Sequence, residues 1–300
     1  MRVLIIGMHG FLGEHIQQRL AAAGMDVIPA GRSPRPEENG YIRLDLSADG
    51  ATQIAKQLAE IEPDAVVNCA GTISGGMETL AAGNVVGPAA LLEGLALAGL
   101  GPRLVHLGSA AEYGEVVTGV PIHEDAPARP VSPYGVTKLA GTRLVQLARA
   151  NGLDAVVLRV FNPVGPGCPT SSLPGRMAAE LARALSEGDA VRLGPLDAVR
   201  DFVDARDVAD AVHAALTVPV LDHPVLNVGS GTGVSARALV EQLLTISGFT
   251  AAVHSDAAGS PRSATVSWQA SDITAISMAL GWKPRRDLAT SLEDLWWTVA

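Results

Sequence analysis

Cysteine is nearly absent from this 300-residue chain: Cys69 and Cys168 stand alone, with no CxxC and no metal-ligand spacing. That argues against a disulfide scaffold or a structural metal site, and it fits a reducing cytoplasm. Positive charge is scarce as well. The net charge is −9 and no block of lysine or arginine stands out, so neither a nucleic acid nor a membrane surface is an expected partner. No apolar run approaches the about 18 residues that argue for a membrane span. The opening MRVLIIGMHG is too short a run for a signal peptide and leads directly into glycines. Aromatic residues are few against abundant alanine and glycine, which speaks of tightly packed helices.

What is present is an alternation. Short apolar runs read as strands at 3–7, 25–31, 63–71, 102–110 and 153–163, and helical periods fall between them at 11–24, 51–61, 77–101 and 134–152. The strands are apolar throughout instead of alternating, as in a parallel sheet covered on both faces. Repeated βα units of this kind predict an α/β, Rossmann-type doubly wound sheet. The helix over 77–101 should break near Gly87-Pro88. Its second half is apolar nearly all round, which fits either burial inside the monomer or a contact between two copies. After Pro163 the pattern gives way to a Gly/Pro loop and shorter mixed elements. The chain is therefore expected to divide into a dinucleotide-binding domain over 1–162 and a mainly substrate-binding region over 163–300, with returns to the sheet near 200–230.

Four stretches carry chemistry. GMHGFLG (7–13) lies between a strand and a helix, with Gly7, Gly10 and Gly13 in G-x-x-G-x-x-G spacing and Phe11 and Leu12 opening the helix. Gly7 suits a tight turn, Gly10 lets a pyrophosphate approach the helix N-terminus, and Gly13 allows close packing. AGRSPR (30–35) follows the second strand. Where an acidic residue would favour NAD, this chain has Arg32 and Ser33 with Arg35 near, which suit the 2′-phosphate of NADP(H). His9 is a further candidate for that phosphate. VSPYGVTKLA (131–140) places Tyr134 and Lys138 one helical turn apart, in a chain with three tyrosines and three lysines in all. An ammonium beside a phenol favours the phenolate and makes a usable acid/base. HLGSAAEYG (106–114) ends a strand and offers Ser109 as a hydroxyl to polarise a carbonyl.

Together these residues resemble the extended short-chain dehydrogenase/reductase family, the nucleotide-sugar epimerases, dehydratases and reductases. The resemblance spans essentially the whole chain. It includes Asp45-Leu46, where the family contacts adenine, and NCAG (68–71), whose Cys69, Ala70 and Gly71 are expected along the cofactor. LRVFNPVG (158–165), RDFVDARDVADA (200–211) and a tail with Arg262 and LGWKP (280–284) continue it. The resemblance implies that Tyr134 is the general acid/base, that Lys138 bonds the nicotinamide ribose, and that Ser109 holds the reacting oxygen. It further implies that Asn162, Arg200 and Arg262 bind a nucleotide-sugar diphosphate, with Leu173 near the base. No metal is implied. Dehydratase members carry a Thr/Ser-Asp-Glu triplet. This chain has Ser109-Ala110-Ala111 and then Glu112, one place too late, so dehydration is not expected.

The reading that follows is an NADPH-dependent ketoreductase acting on a nucleotide-activated keto-sugar. The alternative is an epimerase with tightly bound NAD(H), which would use the same three residues. A non-catalytic dinucleotide sensor is a third reading, and the retained Tyr134 and Lys138 speak against it. A cytoplasmic homodimer is expected.

Overall fold

The computed structural model describes residues 1–34, 40–251, 253–254 and 266–300. The first part of the chain winds through β1 (Arg2–Ile6), α1 (Phe11–Ala22), β2 (Asp26–Gly31), β3 (Ile42–Arg43), α2 (Gly50–Ile61) and β4 (Ala65–Asn68). It continues through α3 (Met77–Ala81), α4 (Gly87–Ala98), β5 (Arg103–Ser109), α5 (Pro133–Ala150) and β6 (Ala155–Val160). The later part adds β7 (Asn162–Val164), α6 (Leu173–Glu187), β8 (Val191–Arg192), β9 (Val199–Asp204), α7 (Ala205–Thr217) and β10 (Val225–Val228). It closes with β11 (Gly233–Ser235), α8 (Ala236–Ser247), β12 (Val253–His254), β13 (Trp268–Gln269), α9 (Thr274–Leu280) and α10 (Leu288–Trp296).

Seven strands form one sheet in the order β10-β6-β5-β4-β1-β2-β3, and every pairing is parallel. This is the doubly wound sheet that the apolar runs predict. Successive residues of β1 point to opposite faces. Val3 and Ile5 join a core that α1 and α7 cover, with Ile16, Val208 and Val212. Leu4 and Ile6 join one that α2 and α4 cover, with Ile54, Leu58, Leu91 and Leu95. Both faces are dry, which is why β4 and β6 are buried at every residue. Each such aliphatic side chain contributes roughly 1.5–3 kcal/mol on burial. The strand order reverses between β1 and β4, and a crevice opens there beyond their carboxyl ends.

The helix over 77–101 does not break at Gly87-Pro88. Helical backbone runs on from α3 to α4 through a π-turn over Ala82–Val86. Pro88 has no N–H, and its ring would crowd the carbonyl four residues back, that of Asn84. The wider turn absorbs that conflict, as single π-turns do. Met77–Ala98 is long and apolar enough to cross a membrane by length and composition. Here Leu91 and Leu95 are buried in the core, and Val86 and Leu97 are exposed.

Residues beyond β6 do two things. α7, β10 and α9 return to the main sheet, with Leu226, Ile276 and Trp282 in its core. The rest builds a second core from α6, α8 and α10, centred on Met177, Leu181, Leu239, Leu243, Leu292 and Leu295. Beside it, β9 pairs with β7, β11 and β13 in a small sheet.

Candidate active site

The crevice is a cleft of about 370 Å³ lined by Gly7, His9, Gly10, Arg32, Ser33, Asp45, Leu46, Cys69, Ala70 and Gly71 among others. The glycine turn makes its floor. Gly7 sits at φ +83, and a Cβ there would come 2.7 Å from the Ala70 amide nitrogen, so no other residue fits. The backbone then enters α1 at Gly10, where no side chain caps the helix. Its first N–H groups remain available to an anion, with the positive end of the helix dipole behind them. Phe11, Leu12 and Gly13 do not line the cleft. Phe11 packs on the second core and meets His15 edge-on at 5.4 Å, and Leu12 packs on the main core. Gly13 is buried beneath the turn. What these three positions can offer a cofactor is backbone, because Phe11 and Leu12 turn their side chains onto the cores and Gly13 has none.

At the other end of the cleft Arg32 and Ser33 are exposed. His9 stacks on Tyr41, ring centroids 4.9 Å apart and 14° from coplanar. Arg35 lies outside the described residues. Asp45 accepts hydrogen bonds from the amide and hydroxyl of Ser47, at 3.1 and 2.7 Å, which shapes the loop that presents Leu46. Burial pushes the Cys69 thiol up to about 12, with the Lys138 ammonium opposing. The thiol is a neutral wall of the cleft.

Three features bring the Ser109 turn at the end of β5 against the start of α5. Ser109 ends β5 and starts a single 3-10 turn, its hydroxyl accepting from the Ala111 amide at 3.2 Å. Ser132 caps α5 by accepting from the Gly135 amide at 3.1 Å, with Pro133 in the first turn. The start of α5 presses on the Ser109 turn so closely that a Cβ at Gly135 would overlap the Ala111 carbonyl oxygen. The residue that follows Tyr134 therefore abuts the turn that Ser109 begins. One turn on, buried Lys138 donates to the Leu107 carbonyl at 2.5 Å. Burial pushes its ammonium down from the ordinary value, and the Glu112 carboxylate opposes.

Two residues join this site that the sequence reading does not single out. Asn84, buried in the π-turn, accepts from the Thr72 amide at 2.9 Å. It donates to the Thr72 carbonyl at 2.8 Å and to the Thr137 hydroxyl at 3.0 Å. It thus pins the loop after Gly71 to α5. The signal is a polar residue within an apolar stretch, four places before a proline. Gln269 donates to the Ala110 and Gly114 carbonyls, at 3.2 and 3.1 Å, and is in register with Arg200 on β9. Nothing local in the sequence marks it.

On the substrate side, Arg200 donates to the Val199 carbonyl at 2.8 Å and the Val266 carbonyl at 2.6 Å. Among the described residues no carboxylate pairs with it, and burial lowers its pKa from the ordinary value. A half-buried guanidinium held only by carbonyls keeps its charge for an anion. Asn162 on β7 donates to the Asp201 carbonyl at 2.9 Å. Leu173 opens α6 and packs against the second core, so packing claims part of it. Arg262 lies outside the described residues.

The parallel sheet and the glycine turn at its switch point define a Rossmann-type fold, and the relatives below are NAD(P)-dependent enzymes. The chain belongs to the NAD dependent epimerase/dehydratase family, which it matches over residues 3–229. It is 38% identical to dTDP-6-deoxy-L-talose 4-dehydrogenase (NAD(P)(+)) of Kitasatospora kifunensis, over 98% of this chain and 94% of that one. To GDP-6-deoxy-D-mannose reductase of Pseudomonas aeruginosa it is 30% identical, over 98% and 95%. The fold superposes on RMD from Pseudomonas aeruginosa complexed with NADPH with a TM-score of 0.83 at 27% identity, covering 99% of this chain and 98% of that one. UDP-glucose 4-epimerases from several bacteria match as well.

Proposed function

We propose that the protein is an NADPH-dependent ketoreductase that reduces the carbonyl of a nucleoside-diphosphate-activated deoxysugar to the alcohol. The observation that carries the reading is the close contact of Gly135, next to Tyr134, with Ala111 in the turn that Ser109 begins. Bound NADPH supplies a hydride to the carbonyl carbon. Ser109 holds the carbonyl oxygen through its hydroxyl, and Tyr134 delivers the proton that completes the alcohol. Lys138 keeps positive charge one turn along the same helix face and bonds the nicotinamide ribose. Arg200 and Asn162, joined by Arg262, hold the diphosphate, and Leu173 lies near the base. Arg32 and Ser33, with His9, bind the 2′-phosphate that distinguishes NADPH from NADH.

The two curated relatives named above support a 6-deoxyhexose substrate. The first substrate to try is accordingly a dTDP-4-keto-6-deoxyhexose, followed by its GDP counterpart. The test is NADPH consumption with each sugar nucleotide, after measuring NADPH and NADH affinities by fluorescence and checking for copurified dinucleotide. Turnover on a keto-sugar nucleotide with NADPH supports the reading. Tightly retained NAD(H), with interconversion of sugar epimers and no net NADPH use, replaces it with the epimerase. Arg32→Asp is expected to cost NADPH affinity roughly 10–100-fold while sparing NADH, the size of one lost charge-assisted phosphate contact. Equal losses for both cofactors would remove Arg32 from the argument.

The two free thiols suit a reducing compartment, and we place the enzyme in the cytoplasm. Val86 and Leu97 near and on α4 and Val136 and Leu147 on α5 are exposed apolar residues on neighbouring helices. They support a homodimer through that face, which sedimentation would test.

A further inference from the structure

Glu112 is absent from the chemistry above, yet it is the most completely enclosed acid at the site. Its exposure is 0%, and three different elements donate to it. The Ser109 amide donates to Oε1 at 2.8 Å, the Thr142 hydroxyl donates to the same Oε1 at 2.9 Å, and Arg159 Nε donates to Oε2 at 2.8 Å. Ser109 is the end of β5. Thr142 lies on α5, four residues after Lys138 and eight after Tyr134, and so on the same helix face. A single carboxylate oxygen therefore bonds both halves of the catalytic set.

We propose that Glu112 is a positioning residue, a clasp that fixes the strand end carrying Ser109 against the helix carrying Tyr134 and Lys138. Any slide or rotation of α5 along β5 breaks one of the two bonds to Oε1. Such a slide would also change the distance between the serine hydroxyl and the phenol, the two groups that must meet one carbonyl oxygen. The arrangement is costly by itself, since a buried carboxylate needs a full complement of partners. Arg159 meets that need from β6. It is itself buried, and its guanidinium lies 4.5 Å from the centre of the Tyr113 ring, whose hydroxyl donates to Asn227 at 2.7 Å. The clasp is thus anchored to β6 and β10 and does not float with the turn. Its charge also favours protonated Lys138 against the burial that disfavours it. The acid that stands one place too late for dehydration is turned into the protein to hold the reductive set in register.

The kinetic arm of the test rests on the proposed reaction; a second arm does not. Thr142→Val keeps the volume and removes the donor, and Thr142→Ser keeps the donor. With a dTDP-4-keto-6-deoxyhexose, Thr142→Val is expected to lower kcat about tenfold, the scale of a slight misplacement of reacting groups. NADPH affinity and the KM for the sugar nucleotide should stay within about twofold, and Thr142→Ser should restore most of kcat. Hydrogen exchange of the NADPH-bound protein gives the second arm. Amides of 109–113 should lose protection in Thr142→Val while those of α1 do not. Unchanged kcat with unchanged exchange, a loss of cofactor affinity as large as that of kcat, or a serine variant as poor as the valine would each overturn the clasp. Should Thr142→Val not fold, Thr142→Ala carries the same comparison. If the wild type turns over no keto-sugar nucleotide, it is the proposed reaction that fails, and exchange alone decides the clasp: local loss at 109–113 supports it, unchanged protection ends it.

Discussion

The main parallel sheet and the segments that follow β6 are held together by different means. Around the dinucleotide cleft the work is done by backbone: seven parallel strands, a glycine turn at φ +83 and an uncapped helix start. Beyond β6, three carboxylates in one short stretch tie down segments far along the chain, some of them against the main sheet. Asp201 accepts five hydrogen bonds, from the amide and hydroxyl of Ser230, the Gly231 amide, and the amide and hydroxyl of Ser271. Asp204 accepts from Arg206 and from the Ser291 hydroxyl at 2.7 Å. Asp207 accepts from the Arg285 and Arg286 amides and the Arg286 guanidinium. Among the described residues beyond β6 the strands outside the main sheet are short, so point contacts between buried acids and distant donors do what strand pairing does elsewhere. Substrate specificity can then vary by exchanging loops without disturbing the sheet.

This contrast predicts that the two halves fail separately. The largest effect should come where they meet. Tyr134→Phe is expected to lower kcat about 10³-fold, the usual scale of a lost general acid, while NADPH affinity stays nearly unchanged. Retained turnover would remove Tyr134 from the chemistry. Next in size is Asp201→Ala, which removes the acceptor of five donors, the two of Ser271 buried, and should cost about 3 kcal/mol in urea unfolding. Protection against exchange should drop at 229–231 and 271 first, with NADPH affinity within about twofold of wild type. A cofactor affinity that falls as steeply as stability would break the comparison, because it would mean that the acids support both halves alike.

The same contrast explains what could be read from the sequence. The sheet, its all-apolar strands and the glycine turn depend on spacings within a few residues, so the amino-acid order shows them directly. Tyr134 and Lys138 are legible for the same reason, being one turn apart on a capped helix. Gln269 is not, because its partners at Ala110 and Gly114 lie more than 150 residues away and no local rule pairs them. The break expected at Pro88 illustrates the converse. A proline in a helix signals a local conflict, but whether the chain stops or widens into a π-turn depends on neighbours. Here Asn84 uses the widened turn to bond Thr72 and Thr137, which makes the distortion part of the site. Glu112 was visible as an acid out of place, and only packing shows that it points inward.

Acid offers the mildest way to separate the halves. Burial alone would raise the Asp204 carboxyl, but the hydrogen bonds from Arg206 and the Ser291 hydroxyl outweigh it and hold the group below its ordinary 3.8. A carboxyl whose folded pKa is depressed contributes stability that is full above its unfolded value, near 3.9, and is lost as pH falls through the folded value. Asp204→Asn should therefore be less stable than wild type at neutral pH, and the gap should narrow as pH drops below about 4. Trp268 and Trp296 pack outside the main core and Trp282 within it, so in a Trp282→Phe background the remaining fluorescence reports the later segments. Acid titration of the NADPH complex should shift tryptophan emission before the bound dinucleotide is released, since the backbone bonds around the cleft do not titrate. A gap between Asp204→Asn and wild type that stays constant down to pH 3 would show that Asp204 holds α10 by geometry and not by charge. Simultaneous loss of emission and cofactor would show that the two halves unfold as one.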